Sequence, residues 1–178
     1  MKLIITQLHE GENRFHFESQ RDSWVGEIVS RIGEGGYQVQ GPLTVDLNLT
    51  KLEPDYYLKG EMAFKVEQTC ARCAENYDLP IKHSFDVALA HVDANKVKAV
   101  AIAEESEVLD VNFFDGNEIE LSPILEEQFF LSIPYQAVCK EDCKGICQVC
   151  GKNRNVEPCQ CVVPKISPFS VLQEQSIL

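Results

Sequence analysis

The chain lacks a long apolar run. Its N-terminal "MKLIITQLHEGENR" offers one lysine and the short "LII" before polar residues resume. A secretory leader needs a longer apolar region, and a membrane helix needs about 20 such residues. A cytoplasmic protein without a membrane partner is therefore expected. Basic side chains are also scarce: Lys and Arg number 16 against 28 Asp and Glu, a formal net charge of −12. General nucleic-acid coats draw on a basic surface, so this composition excludes one. Any RNA contact has to come from a local patch, and a basic protein partner suits the charge equally well. Catalytic constellations are missing too, with no nucleophile elbow, no HExxH and no DxD-type acid pair. The glycine cluster "GEGG" lacks the Lys-Ser/Thr ending of a phosphate loop and precedes a strand, so it reads as a turn. Glu126 and Glu127 have apolar neighbours on a helix and read as exposed charges rather than an acid–base pair. No enzyme and no small-molecule substrate are expected.

What is present is a sheet. "KLIIT" and "RFHFES" around "EGEN" suggest a first strand pair. "DSWVGEIVSRIG" spaces Trp24, Val25, Ile28, Val29 and Ile32 as a helix does, with Ser23 at the N-cap and Gly33 at the C-terminal cap. Then apolar and polar residues alternate over Tyr37–Thr50, Leu58–Glu67 and Ile81–Leu89. Three such runs with short joints predict an antiparallel β-meander with one buried face, either an open sheet or a partly open barrel. One further strand is expected at 107–113. In "LSPILEEQFFLSIP", Ser122 suits an N-cap and Pro123 the first helical position, giving a helix over about 122–133. Leu121, Ile124, Leu125, Phe129 and Phe130 would pack it on the sheet. The expected class is α+β: a core over 1–137, a cysteine-rich tail over 138–163, and a C-terminal extension over 164–178.

Six of the eight cysteines fall between Cys139 and Cys161. In a reducing compartment such clusters are thiols or metal thiolates far more often than disulfides. A chain with 44% hydrophobic residues has enough core not to need staples. Cys70-x2-Cys73 is followed by a strand-like run, which argues against a redox dithiol at the start of a helix. The four histidines, His9, His16, His83 and His91, lie in or beside strand-like runs, so catalytic zinc is disfavoured. Structural zinc in four-thiolate sites fits best, because each close pair bends the backbone so that both sulfurs face one point. Cys147 and Cys150 with Cys159 and Cys161 would fold the tail. Cys70 and Cys73 with Cys139 and Cys143 would pin it to the sheet. A single zinc drawn from the six tail cysteines in another combination would explain most of the same pattern. The nearby Lys140, Lys144, Lys152 and Arg154 form the most evident basic cluster and are the candidate RNA or partner contacts.

The order "TCARC", "EIELSPILEEQFFLSIPYQAVC", "CKGICQVCGKNRN", "CQC" and "SPFSVL" closely resembles the YceD family, the large ribosomal RNA subunit accumulation proteins. The matching segments are 69–73 and 118–172, with Gln148 where proline is usual and Arg154 where leucine is. The resemblance implies a non-enzymatic role in making or stabilising large-subunit ribosomal RNA. Three functional expectations follow: a zinc-bearing assembly factor that binds a large-subunit RNA precursor through the basic tail cluster and a sheet edge; an acidic escort for a basic large-subunit ribosomal protein; or a zinc switch that releases metal when its thiolates oxidise.

Overall fold

A computed structural model describes residues 1–52, 55–91 and 110–162. The C-terminal extension expected at 164–178 and the first residues of the strand expected at 107–113 lie outside the described residues. The described elements are β1 (Lys2–Ile4), β2 (Glu12–Glu18), α1 (Ser23–Glu34), β3 (Val39–Leu52), β4 (Asp55–Thr69), β5 (Asn76–His91), β6 (Asp110–Phe114), β7 (Glu118–Glu120) and α2 (Leu121–Ser132). Five strands form one open sheet in the order β2-β3-β4-β5-β6, and β1 pairs separately with β7. The class is α+β with a mostly antiparallel sheet.

The alternation read from the sequence governs the central strands. Leu43, Val45, Leu47 and Leu49 of β3, Leu58, Met62, Phe64 and Val66 of β4, and Phe85, Val87 and Leu89 of β5 are all buried in one apolar cluster. Successive side chains of a strand point to opposite faces, so this period places these apolar side chains on one side. Gly60 interrupts the apolar series because the ring of Phe85 occupies the space a Cβ would need. Val25, Ile28 and Ile32 of α1 and Leu121, Ile124, Leu125 and Phe129 of α2 complete the cluster. Phe129 stacks on Phe64 with ring centroids 4.5 Å apart. Arg31 of α1 pairs with Glu126 of α2, which gives that carboxylate a structural partner.

Several local expectations are corrected. "KLIIT" does not pair with "RFHFES": Lys2 lies opposite Glu120 in β7, while β2 pairs antiparallel with β3, Phe15 opposite Leu47. Local sequence cannot reveal a pairing across more than a hundred residues. Asp22, not Ser23, is the N-cap of α1, and its carboxylate accepts the Glu18 N–H at 2.8 Å, which holds its pKa low. That helix runs past Gly33 to a C-cap at Gly35, with Gly36 in the left-handed region at φ 93°. α2 starts one residue before Ser122, with Glu120 as N-cap, and the Ser122 hydroxyl instead accepts from the N-terminal ammonium at 3.2 Å. Phe130 is 46% exposed and meets Tyr37 and Phe129 edge-on. The late strand covers Asp110–Phe114 and runs parallel to β5, an orientation that alternation alone does not encode.

The chain divides into two compact units. The first comprises Met1–Gln68 and Asp78–Tyr135; the second comprises Thr69–Tyr77 and the chain from Gln136 on. The eight cysteines all belong to the second.

Candidate metal centre

The first half of the centre is a knuckle at the end of β4. Cys70 N–H donates to the Glu75 carbonyl and Ala74 N–H to the Cys70 carbonyl, both at 2.9 Å. Ala74 sits in the left-handed region at φ 59° to close the turn. The tail aligns beside it through Ala71 N–H to the Ala137 carbonyl and Ile146 N–H to the Arg72 carbonyl, each 2.9 Å. Arg72 clasps the loop from within the CxxC, its guanidinium donating to the carbonyls of Glu141 at 2.9 Å and Cys143 at 3.3 Å.

These contacts converge four sulfurs. Those of Cys70, Cys73, Cys139 and Cys143 all lie within 4.8 Å of one another, with Cys70–Cys143 and Cys73–Cys139 each at 3.8 Å. A disulfide requires about 2.05 Å. Cys147, Cys150, Cys159 and Cys161 form a second such group within the same limit. Here the turn closes through Gly151 at φ 71°, whose N–H donates to the Cys147 carbonyl at 2.8 Å. Cys70, Cys73, Cys143 and Cys147 are buried, whereas Cys150 and Cys161 are exposed. Each group could hold a metal ion.

The electrostatics divide each group into easy and reluctant thiols. Burial opposes ionisation of Cys70, but the N–H groups of Cys139, Cys73 and Arg72 outweigh it and bring that thiol down to about 6. Cys139 is pushed up to about 12 by burial and by the thiols of Cys143, Cys70 and Cys73. In the second group the N–H groups of Cys150 and Val149 bring Cys147 down to about 6. Hydrogen bonding to Cys150, then burial, pushes Cys161 up to about 12. Four like charges in one small space repel, so complete ionisation needs a cation to offset them.

The basic candidates Lys140, Lys144, Lys152 and Arg154 are all exposed. Lys140 lies 3.9 Å from Asp142 and Lys152 2.8 Å from Glu157, so two of the four already face carboxylates. Spacing of cysteines did not point to Arg72, Gly145, Asn153 or Asn155. A Cβ on Gly145, which has φ 67°, would lie 2.9 Å from the Arg72 carbonyl oxygen. Asn155 donates its side-chain amide to the Cys143 sulfur at 3.3 Å. The available signal was the placement of small, hydrogen-bonding residues between ligands in "CKGIC" and "GKNRN".

An α+β sheet domain joined in one chain to a unit that gathers eight cysteines into two four-sulfur groups defines the class. The family described as "Large ribosomal RNA subunit accumulation protein YceD" matches residues 58–174. The chain belongs to the YceD family. A maize protein named "Large ribosomal RNA subunit accumulation protein YCED homolog 1, chloroplastic" is 26% identical over 160 residues, 78% of this chain and 55% of its own length. The Arabidopsis thaliana protein of the same name is 24% identical over 149 residues, 67% of this chain and 44% of its own. An uncharacterized protein of Mycobacterium tuberculosis is 28% identical over 116 residues, 65% and 53%. The chain thus spans about half the length of the curated relatives it matches. No solved structure matches it. No described helix is long and apolar enough to cross a membrane.

Proposed function

We propose that this chain acts in the cytoplasm, without catalysis of its own, in the accumulation of large-subunit ribosomal RNA, and that two structural zinc ions fold its cysteine unit. Membership of the YceD family over 58–174, a span that includes every cysteine, carries the first part of this reading. The donor set supports the second. Zinc–thiolate bonds of about 2.3 Å arranged tetrahedrally place sulfurs about 3.8 Å apart, and two pairs in the first group have that separation. Zinc supplies a charge that stabilises four thiolates at once. The chain's residues do the remainder: Arg72 and Gly145 set the loop path, and N–H donors steady the sulfurs.

The RNA contacts are assigned to Lys140, Lys144, Lys152 and Arg154. The described residues of the second unit carry five basic and four acidic side chains, in a chain whose total is −12; each zinc with four thiolates adds −4 + 2 = −2, so these cations act as a local patch and not through the net charge of the unit. The pairings to Asp142 and Glu157 are exposed and worth at most about 1 kcal/mol each, so a phosphate can replace them. Changing all four to Ser should weaken binding to large-subunit RNA fragments and flatten the salt dependence by about 0.7 per lost contact. Binding with an unchanged slope would remove the cluster from the account.

The acidity of the rest of the chain favours a second reading, capture of a basic large-subunit ribosomal protein. Ultraviolet crosslinking of the tagged protein in growing cells separates the two. Crosslinks concentrated in large-subunit RNA support direct binding; none, with a ribosomal protein recovered in the same purification, supports the escort.

A further inference from the structure

We propose that the two four-cysteine groups bind metal cooperatively, with Asn155 as the positioning residue that ties the loop of the second group to a sulfur of the first. This rests on the metal-binding reading above.

Only Lys144, Gly145 and Ile146 separate Cys143 of the first group from Cys147 of the second. This short linker is gripped from both sides. Ile146 N–H donates to the Arg72 carbonyl in the first knuckle. From the second group's loop, Arg154 N–H donates to the Gly145 carbonyl at 2.9 Å, and Lys144 N–H donates to the Asn155 side-chain oxygen at 2.9 Å. Ile146 and Asn153 also form an isolated antiparallel bridge.

The loop between Cys150 and Cys159 thus serves both groups. Its ends are held by the second group's ligands, while its middle supplies a donor to the first. Asn155 donates one amide to the Cys143 sulfur and to the Asn153 side-chain oxygen, at 3.3 and 2.9 Å. Asn153 in turn donates to Glu75, in the turn that carries Cys73, at 3.2 Å. The second group receives its donors locally, with Cys147 served by the N–H groups of Cys150 and Val149. The dependence is therefore built into one direction, although thermodynamic linkage makes its energetic effect mutual.

The second group draws its four ligands from Cys147–Cys161 alone, so filling it orders the loop between Cys150 and Cys159 and presents Asn155 to Cys143. Removing a hydrogen bond to a metal ligand commonly costs 10–100-fold in affinity.

The test uses the full chain, stripped of metal under a phosphine reductant and titrated with zinc against a competing chelator. Single-site chains come from Cys70→Ser with Cys73→Ser and from Cys159→Ser with Cys161→Ser. The product of the two stepwise constants of the unaltered chain should exceed the product of the single-site constants by about tenfold or more. Asn155→Asp, which keeps the acceptor for Lys144 and loses the donor, should bring that ratio close to one. Trp24, the chain's one tryptophan, lies in the first unit, and its fluorescence confirms that each variant retains that fold. Cobalt in place of zinc gives an independent reading, since thiolate ligation appears in its visible and near-ultraviolet absorption. Two ions bound with equal products would overturn the coupling and leave the metal reading intact. No ion bound would overturn both.

Discussion

In the unit formed by Met1–Gln68 and Asp78–Tyr135, the buried positions are filled by side chains such as Leu43, Leu49, Leu58, Met62, Leu125 and Phe129. In the unit formed by Thr69–Tyr77 and the chain from Gln136, they are filled by Cys70, Cys73, Cys143 and Cys147 with Ala137. Of the larger apolar residues of that second unit, Ile146, Val149, Val156 and Val162 are 46–86% exposed, while Tyr77 and Val138 pack, half-buried, against the cysteine cluster. The first unit can therefore rest on the hydrophobic effect, at about 25 cal/mol for each Å² of apolar surface removed from water. The second cannot, because most of its described apolar area stays in water and its interior consists mainly of thiols. The difference predicts opposite sensitivities: core truncation should damage the first unit and spare metal content, while metal loss should unfold the second and spare the sheet.

The largest effect is expected from ligand loss. Structural zinc contributes about 10–16 kcal/mol of apparent binding energy in small cysteine sites. Cys147→Ser with Cys150→Ser should leave at most one zinc per chain by elemental analysis and open residues 147–161 to protease, with the thermal transition of the sheet unmoved. Next comes Phe129→Ala, which removes the ring stacked on Phe64. It should cost the first unit about 3–5 kcal/mol in denaturant unfolding, with the zinc count unchanged; a loss of metal would show that the two cores are not separable. Gly145→Ala should follow, since its left-handed backbone and the nearby Arg72 carbonyl leave no room for a Cβ. A fall in zinc affinity of about tenfold, with unaltered sheet stability, is expected from the displaced knuckle.

The smallest effect is a proton count. Metal binding requires thiolates, so affinity falls as pH drops and protons compete for sulfur. If the metal-free second unit is unfolded, its thiols sit near the ordinary value of about 8.5, and each ion releases about four protons at pH 7. If that unit stays folded without metal, Cys70 and Cys147, brought down to about 6, have already lost theirs, and fewer than four appear. Calorimetry in buffers of different ionisation enthalpy measures the number. About four protons per ion are expected.

The same contrast explains how much could be read in advance. The faces of β3, β4 and β5 were legible because period-two alternation is a local signal that burial enforces. The pairing of Lys2 with Glu120 and the parallel seating of β6 were not, since both depend on contacts far apart in sequence. Close spacing drew attention to every cysteine, and the sulfurs gather into the groups 70/73/139/143 and 147/150/159/161. Arg72 and Asn155 are not legible in the sequence because their work is done by the direction of their hydrogen bonds, which residue type does not disclose. The caps at Ser23 and Ser122 were misplaced for a similar reason: the neighbouring Asp22 and Glu120 occupy those positions, and Ser122 has the N-terminus as its partner.

The most direct measurement is amide hydrogen exchange across the whole chain, before and after removal of metal by a chelator under reducing conditions. Residues 139–161 should lose their protection while β3, β4, α1 and α2 keep theirs. Unchanged exchange in 139–161 would contradict it, because the cysteine unit would then hold its shape without the ions.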